Sequence, residues 1–145
     1  MLDTNVFSSI CNDDTFLKGL EILVRKNRIE LLTTHIQIGE INQIPKNDSK
    51  KKDKILDFIA NYCIVIPTRN FVLGISILGQ ARLGGTQTLE AIRKGKRKMT
   101  KDALIAATAE YDADFLVTSD KELQNRADKT IPKIATLSYL EFYKA

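Results

Sequence analysis

The sequence predicts an α/β fold, a three-layer α/β/α arrangement around a central parallel sheet of about five strands. Short apolar runs alternate with segments at helical spacing along the whole chain, the pattern of strands joined by right-handed helical crossovers. No internal repeat or break in composition marks a boundary, so residues 1–145 read as one domain. The most informative stretch, residues 100–120 (TKDALIAATAEYDADFLVTSD), is an apolar helix opening on Asp102, a polar turn at Asp112 and Asp114, and a buried strand ending on Thr118-Ser119-Asp120. A helix packed beside the strand that follows it runs antiparallel to that strand. Roughly ten helical residues at about 1.5 Å each match roughly five strand residues at about 3.3 Å. Asp102 and Asp120 are therefore expected at the same edge of the sheet.

The elements follow in order. Met1-Leu2 leaves hardly any strand before Asp3. Asn12-Asp13-Asp14 offers an N-cap to a helix with Phe16, Leu17, Leu20, Leu23 and Val24 on one face. Residues 28–32 form a strand, Thr33 or Thr34 a cap, and residues 35–44 a helix stopped by Pro45. The polar run KNDSKKKDK leads into a helix carrying Ile55, Phe58, Ile59 and Tyr62. Residues 63–66 are a buried strand closed by Pro67. Residues 71–83 are expected to be helical up to Gly84-Gly85, and residues 86–92 form a further helix that dissolves into RKGKRKMTK. After the stretch at 100–120, a helix ends over residues 124–128, a last strand covers 133–135, and residues 139–144 close the chain as a helix.

Composition excludes several classes. No apolar run approaches the roughly 20 residues that span a bilayer. MLDTNVFSSICNDD meets acids at once and lacks the basic start of a secretion signal. Two cysteines, Cys11 and Cys63, supply neither a disulfide framework nor a four-ligand zinc site, and are expected as thiols in a reducing cytoplasm. One histidine, His35, excludes a His-rich metal site and is read as a helix-start residue. A net charge of +4 permits a nucleic-acid partner.

Ligands of parallel α/β sheets sit beyond the C-terminal strand ends. Asp3, at the end of the first strand, faces the edge where Asp102 and Asp120 lie. Glu40, about one and a half turns into its helix, leans back toward the same edge. Four carboxylates in one pocket would repel and take up protons unless neutralised. No histidine is placed to do so, whereas Mg²⁺ or Mn²⁺, as one or two ions, prefers such oxygens and activates water against a phosphodiester. Glu122 lies close enough in sequence to support a second ion. Lys94, Lys96, Arg97, Lys98 and Lys101 immediately precede the pocket and are expected to hold RNA phosphates. The run at residues 50–54 has no such placement and is read as solvated.

Leu2-Asp3-Thr4-Asn5-Val6, Glu40 early in a helix, Lys101-Asp102-Ala103-Leu104-Ile105-Ala106-Ala107-Thr108-Ala109 and Leu116-Val117-Thr118-Ser119-Asp120 together resemble the PIN-domain ribonuclease family, in its order and roughly its spacing. The small size is most similar to that family's stand-alone VapC-type toxins. The resemblance implies metal-dependent endoribonuclease cleavage leaving a 5′-phosphate and a 3′-hydroxyl. It implies that Asp3, Glu40, Asp102 and Asp120 hold the metal, with Asn5 and Thr118 orienting carboxylates or water. It further implies a homodimer and a small antitoxin partner. Family members carry several more strand residues before the first Asp, which predicts a frayed first strand or a start upstream of Met1.

The alternatives are a housekeeping RNA-processing nuclease of the same fold and a PIN-like module that binds RNA or protein without cutting. A dehalogenase-type phosphatase needs an Asp where Asn5 stands. A receiver domain needs a different order of acids and lysine. Neither a glycine-rich dinucleotide fingerprint nor a phosphate-binding P-loop occurs.

Overall fold

Helices dominate the chain. The structure, a computed structural model, describes residues 1–131 and 133–145. Two helices come first, α1 (Thr4–Asn12) and α2 (Asp14–Arg25), and each is started by an aspartate cap: Asp3 accepts from Thr4 N, and Asp13 from Phe16 N. Strand β1 (Leu31–Thr33) then feeds α3 (His35–Asn42), which opens on a capping box between Thr34 and Gln37. A 3₁₀ turn at Lys46–Asp48 leads into α4 (Ser49–Tyr62), and α4 into β2 (Cys63–Val65). The second half holds α5 (Gln87–Arg93), α6 (Thr100–Asp112), β3 (Phe115–Val117), α7 (Lys121–Thr130), β4 (Ala135–Leu137) and α8 (Tyr139–Lys144).

The expected central parallel sheet of about five strands, with its three-layer α/β/α architecture, is not what forms. The described residues contain two separate two-stranded parallel sheets, β1 with β2 and β3 with β4, each strand three residues long. Met1–Asp3 runs between the pairs without becoming a strand. Leu2 N donates to Leu32 O at 3.0 Å, Asp3 N to Val117 O at 2.9 Å, and Leu2 makes a single parallel bridge with Val117. On the C-terminal side the physical reason is the cap: Asp3 turns the backbone into α1 directly after the Leu2–Val117 bridge.

Other boundaries also differ. Residues 4–12, which carried no expected element, are a helix burying Val6, Phe7, Ile10 and Cys11. The stretch 71–83, expected as a helix, is a chain of turns. Gly74 and Gly79 both take φ of +82°, a left-handed conformation that no helix continues through. The last strand falls at Ala135–Leu137 instead of 133–135.

Two apolar cores flank the strands, and alternation along each strand assigns residues between them. Leu2, Leu31 and Val117 face a core with Phe7, Ile10, Ile41, Ile55 and Phe58. Met1, Leu32 and Leu116 face the other, built on Leu104, Ile105, Ile92, Leu123 and Ile131. Helix α6 is buried over Ala103–Ala109 on nearly every side. Its alanines allow α5, α7 and β3 to close on it, and this fixes where Asp102 enters the molecular edge. No helix among the described residues is long and apolar enough to cross a membrane.

Candidate functional site

Asp3 is the anchor. It is 4% exposed and its carboxylate accepts three hydrogen bonds, the capping one from Thr4 N at 2.7 Å and two more from Asn5 Nδ2 at 2.8 Å and Thr118 Oγ1 at 2.6 Å. Burial raises its pKa above the usual carboxylate range, opposed by the Thr118 and Thr4 hydrogen bonds, with Glu40 and Asp120 adding repulsion. Thr118 then links Asp3 to Asp120, whose backbone N–H donates to the same hydroxyl at 3.0 Å. Asn5 Oδ1 accepts from Ser119 N at 3.0 Å, tying α1 to the end of β3. The two residues expected to orient carboxylates thus both touch Asp3.

Glu40 reaches back from α3 as its position in the helix requires. Its Oε2 accepts from Thr4 Oγ1 at 2.5 Å, and its Oε1 lies 3.5 Å from Lys101 Nζ. Thr4 was missed in the sequence; a hydroxyl directly after the strand-end acid is the signal that would have found it. Gln37 Nε2 donates to Leu2 O at 3.1 Å and so registers α3 against the N-terminal segment.

Asp102 stands in the first turn of α6, where the helix dipole favours a negative charge. Even so, its pKa is pushed up to about 6, by burial first and then by Asp3, Glu40, Asp120 and Glu122. Among the described residues no hydrogen-bond donor or paired cation reaches its carboxylate. Asp120 has a structural duty as well. It is the N-cap of α7 through Glu122 N at 2.7 Å and Leu123 N at 3.1 Å, while Ser119 is not. Glu122 is exposed, and Arg126, bonded to it at 2.7 Å, holds its carboxyl below the usual range. Lys96 lies 3.6 Å from it.

The fold therefore brings Asp3, Glu40, Asp102 and Asp120 to one edge, near enough that each of the other three perturbs Asp102. They face one another at charge-sensing range and not in contact: among the described residues, no three His, Cys, Asp or Glu side chains are grouped to hold one ion. The local caps explain the spacing, because Asp3 and Asp120 each turn an oxygen toward a helix N-terminus. The donor chemistry fits a hard divalent cation, since all four are carboxylates and Asp102 lacks a counter-charge. Of the basic run, Lys101 reaches Glu40 and Lys96 reaches Glu122, whereas Lys94, Arg97 and Lys98 are exposed. His35 is buried, and its Nε2 accepts from Ile77 N at 3.4 Å.

Searches against protein-family models, curated proteins and solved structures yield no match to this chain.

Proposed function

We propose that the chain is a Mg²⁺- or Mn²⁺-dependent endoribonuclease, acting as the toxin of a type II toxin–antitoxin pair. One observation supports this above the rest: Asp102, half-buried and without a cation of its own, faces three further carboxylates brought from remote parts of the chain. A solvated protein has no structural use for that arrangement, which costs stability through repulsion. Asp3, Glu40, Asp102 and Asp120 would hold the metal. When bound, the ion supplies Lewis-acid polarisation of the phosphodiester and lowers the pKa of water for attack. Asn5 and Thr118 fix the orientation of Asp3, and Thr4 that of Glu40. Lys94, Arg97 and Lys98 would hold RNA phosphates beside the acids, with Lys96 and Lys101 released from Glu122 and Glu40 to do the same. A small antitoxin would bind over the acidic edge and silence it.

A non-cleaving RNA-binding module is the second reading, favoured by the absence of a three-ligand grouping among the described residues. Incubating the purified chain with single-stranded RNA and Mn²⁺, with and without EDTA, separates the two. Metal-dependent products with 5′-phosphate ends are expected; RNA bound but intact at every metal concentration supports the module instead.

A further inference from the structure

A cleft of about 510 Å³ opens between α3, the end of β2 and residues 77–80. Among the described residues, no Asp, Glu, Lys or Arg lines it. Helix α3 presents one face to it: His35, Ile38, Gly39 and Asn42 recur at the three- and four-residue spacing of a single helical stripe. His35 is the buried member, 7% exposed, and burial lowers its pKa and favours the uncharged imidazole. Val65 and Ile77, each 52% exposed, add apolar walls.

Gly39 has no packing reason to be glycine. A Cβ there would meet nothing within 4 Å, and its φ is not left-handed. A glycine inside a helix lowers that helix's stability relative to alanine. What the missing side chain provides is room, on the cleft side of α3. Asn42 and Gln80 supply polar groups. Their backbone oxygens are taken, by Lys52 Nζ at 3.5 Å and by Thr68 N at 3.1 Å. Both carboxamides belong to exposed residues and form no hydrogen bond among the described residues. An apolar cleft of this size with a few amides at its rim is built as ligand sites are.

We propose that this cleft takes an unpaired adenine of an RNA strand held at the acid edge, which makes α3 the element that reads sequence. The proposal rests on the RNA-binding reading above but not on cutting. Position selects the strand: Glu40 follows Gly39 directly and belongs to the acid edge, so α3 carries both features and a neighbouring nucleotide has the cleft within reach. Phosphates are held by Lys and Arg. The cleft has neither among the described residues, so it takes the base. The amides select which base. A carboxamide sets one donor beside one acceptor. Adenine matches that pair on both its edges, N6 with N1 and N6 with N7. The N7 and O6 edge of guanine asks for two donors, the task of the cationic side chains missing here, and a pyrimidine offers only one matching edge.

The chain has a single histidine, so one imidazole resonance reports on the cleft. In EDTA, where nothing is cut, adenosine should shift the His35 Cε1–H signal saturably at about millimolar concentration, and uridine and ribose 5-phosphate should not. One adenine placed in an all-uridine oligonucleotide should tighten binding about tenfold, read by fluorescence anisotropy. Gly39→Leu fills the cleft with a good helix former. Its urea midpoint should equal or exceed that of wild type, the all-uridine strand should bind as before, and both the His35 shift and the gain from adenine should be lost. Should Gly39→Leu misfold, Asn42→Ala decides, and it should reduce the gain from adenine about fivefold. An unmoved His35 signal, or a shift and a gain that survive both substitutions, overturns the proposal. If neither strand binds, the RNA reading falls with it; if both bind equally, the adenine site alone falls.

Discussion

At the acid edge, polar atoms are answered by near neighbours. Asp3 takes three donors, Thr118 bonds to both Asp3 and Asp120, and Thr4 turns from its own helix to Glu40. In residues 67–86 the backbone is tied down just as firmly, through Thr68, Asn70 and Arg82, yet large apolar side chains stand in water. The two regions are incomplete in opposite senses. At the acid edge Asp102 lacks a positive partner among the described residues, and the 67–86 face lacks apolar cover. A scaffold of hydrogen bonds holds each incompleteness in place, so that a missing component can complete it without refolding the chain.

The sharpest way to break this comparison is to change one region and read both properties. Asp102→Asn should lower metal-dependent RNA cleavage by about a hundredfold or more, since it removes a carboxylate that no local hydrogen bond requires. Leu83→Asp, on the other face, should leave cleavage per chain within about twofold. Equal activity in wild type and Asp102→Asn, measured at saturating Mn²⁺, would remove that residue from the site.

The acids also divide by how much structure leans on them. Asp3→Ala strips the cap of α1 and leaves the buried Thr118 Oγ1 without its acceptor, while the exposed Asn5 Nδ2 can turn to water. Urea unfolding should register a loss of about 2–3 kcal/mol. A loss within error of zero would mean that water replaces the carboxylate, and that the edge is far wetter than its burial implies.

Within the apolar segment two adjacent glycines should behave differently. A Cβ on Gly84 would meet the backbone carbonyl of Arg69 at 2.5 Å, whereas one on Gly85 would meet nothing within 4 Å. Gly84→Ala should cost about 1–3 kcal/mol by forcing a backbone shift, and Gly85→Ala should change little. Similar values for the pair would show that 67–86 is not held as its hydrogen bonds suggest.

How far the sequence was legible follows from the same contrast. Acids at strand ends and helix mouths could be placed because their positions follow from element order, and order survives errors of two residues at a boundary. Hence Asp3, Glu40, Asp102 and Asp120 were assigned to one edge although the sheet expected to carry them does not form. What failed needed distances that a sequence does not hold. Met1-Leu2 is apolar and extended like a strand, but Asp3 captures the backbone N–H of Thr4 and begins a helix instead. Residues 71–83 have apolar spacing compatible with a helix, and only the left-handed Gly74 and Gly79 decide otherwise. Ser119 and Asp120 are both cap-forming residue types at the mouth of α7, and only the backbone angles and the reach to two backbone donors select Asp120.

The last expectation concerns Asp102 without metal. In the folded chain it keeps its proton up to about pH 6, because burial and four neighbouring carboxylates disfavour the charge. Unfolded, it releases that proton near pH 4. Between those values the folded state binds more protons than the unfolded one, so stability falls as pH rises through the window and stays lowered above it. Asp102→Asn never ionises and escapes this loss. In EDTA at pH 7 the variant should exceed wild type by about 1–2 kcal/mol, a figure already reduced for the solvent that reaches the side chain. The advantage should shrink as pH falls from 6 and vanish near 4, where wild-type Asp102 is neutral in both states. Urea midpoints for the two proteins across that range make the measurement, and added Mn²⁺ should erase or reverse the difference only if the carboxylate is a ligand. A variant less stable than wild type at pH 7 would mean that Asp102 already has a favourable partner, and the acid edge would then lose its claim to an uncompensated charge.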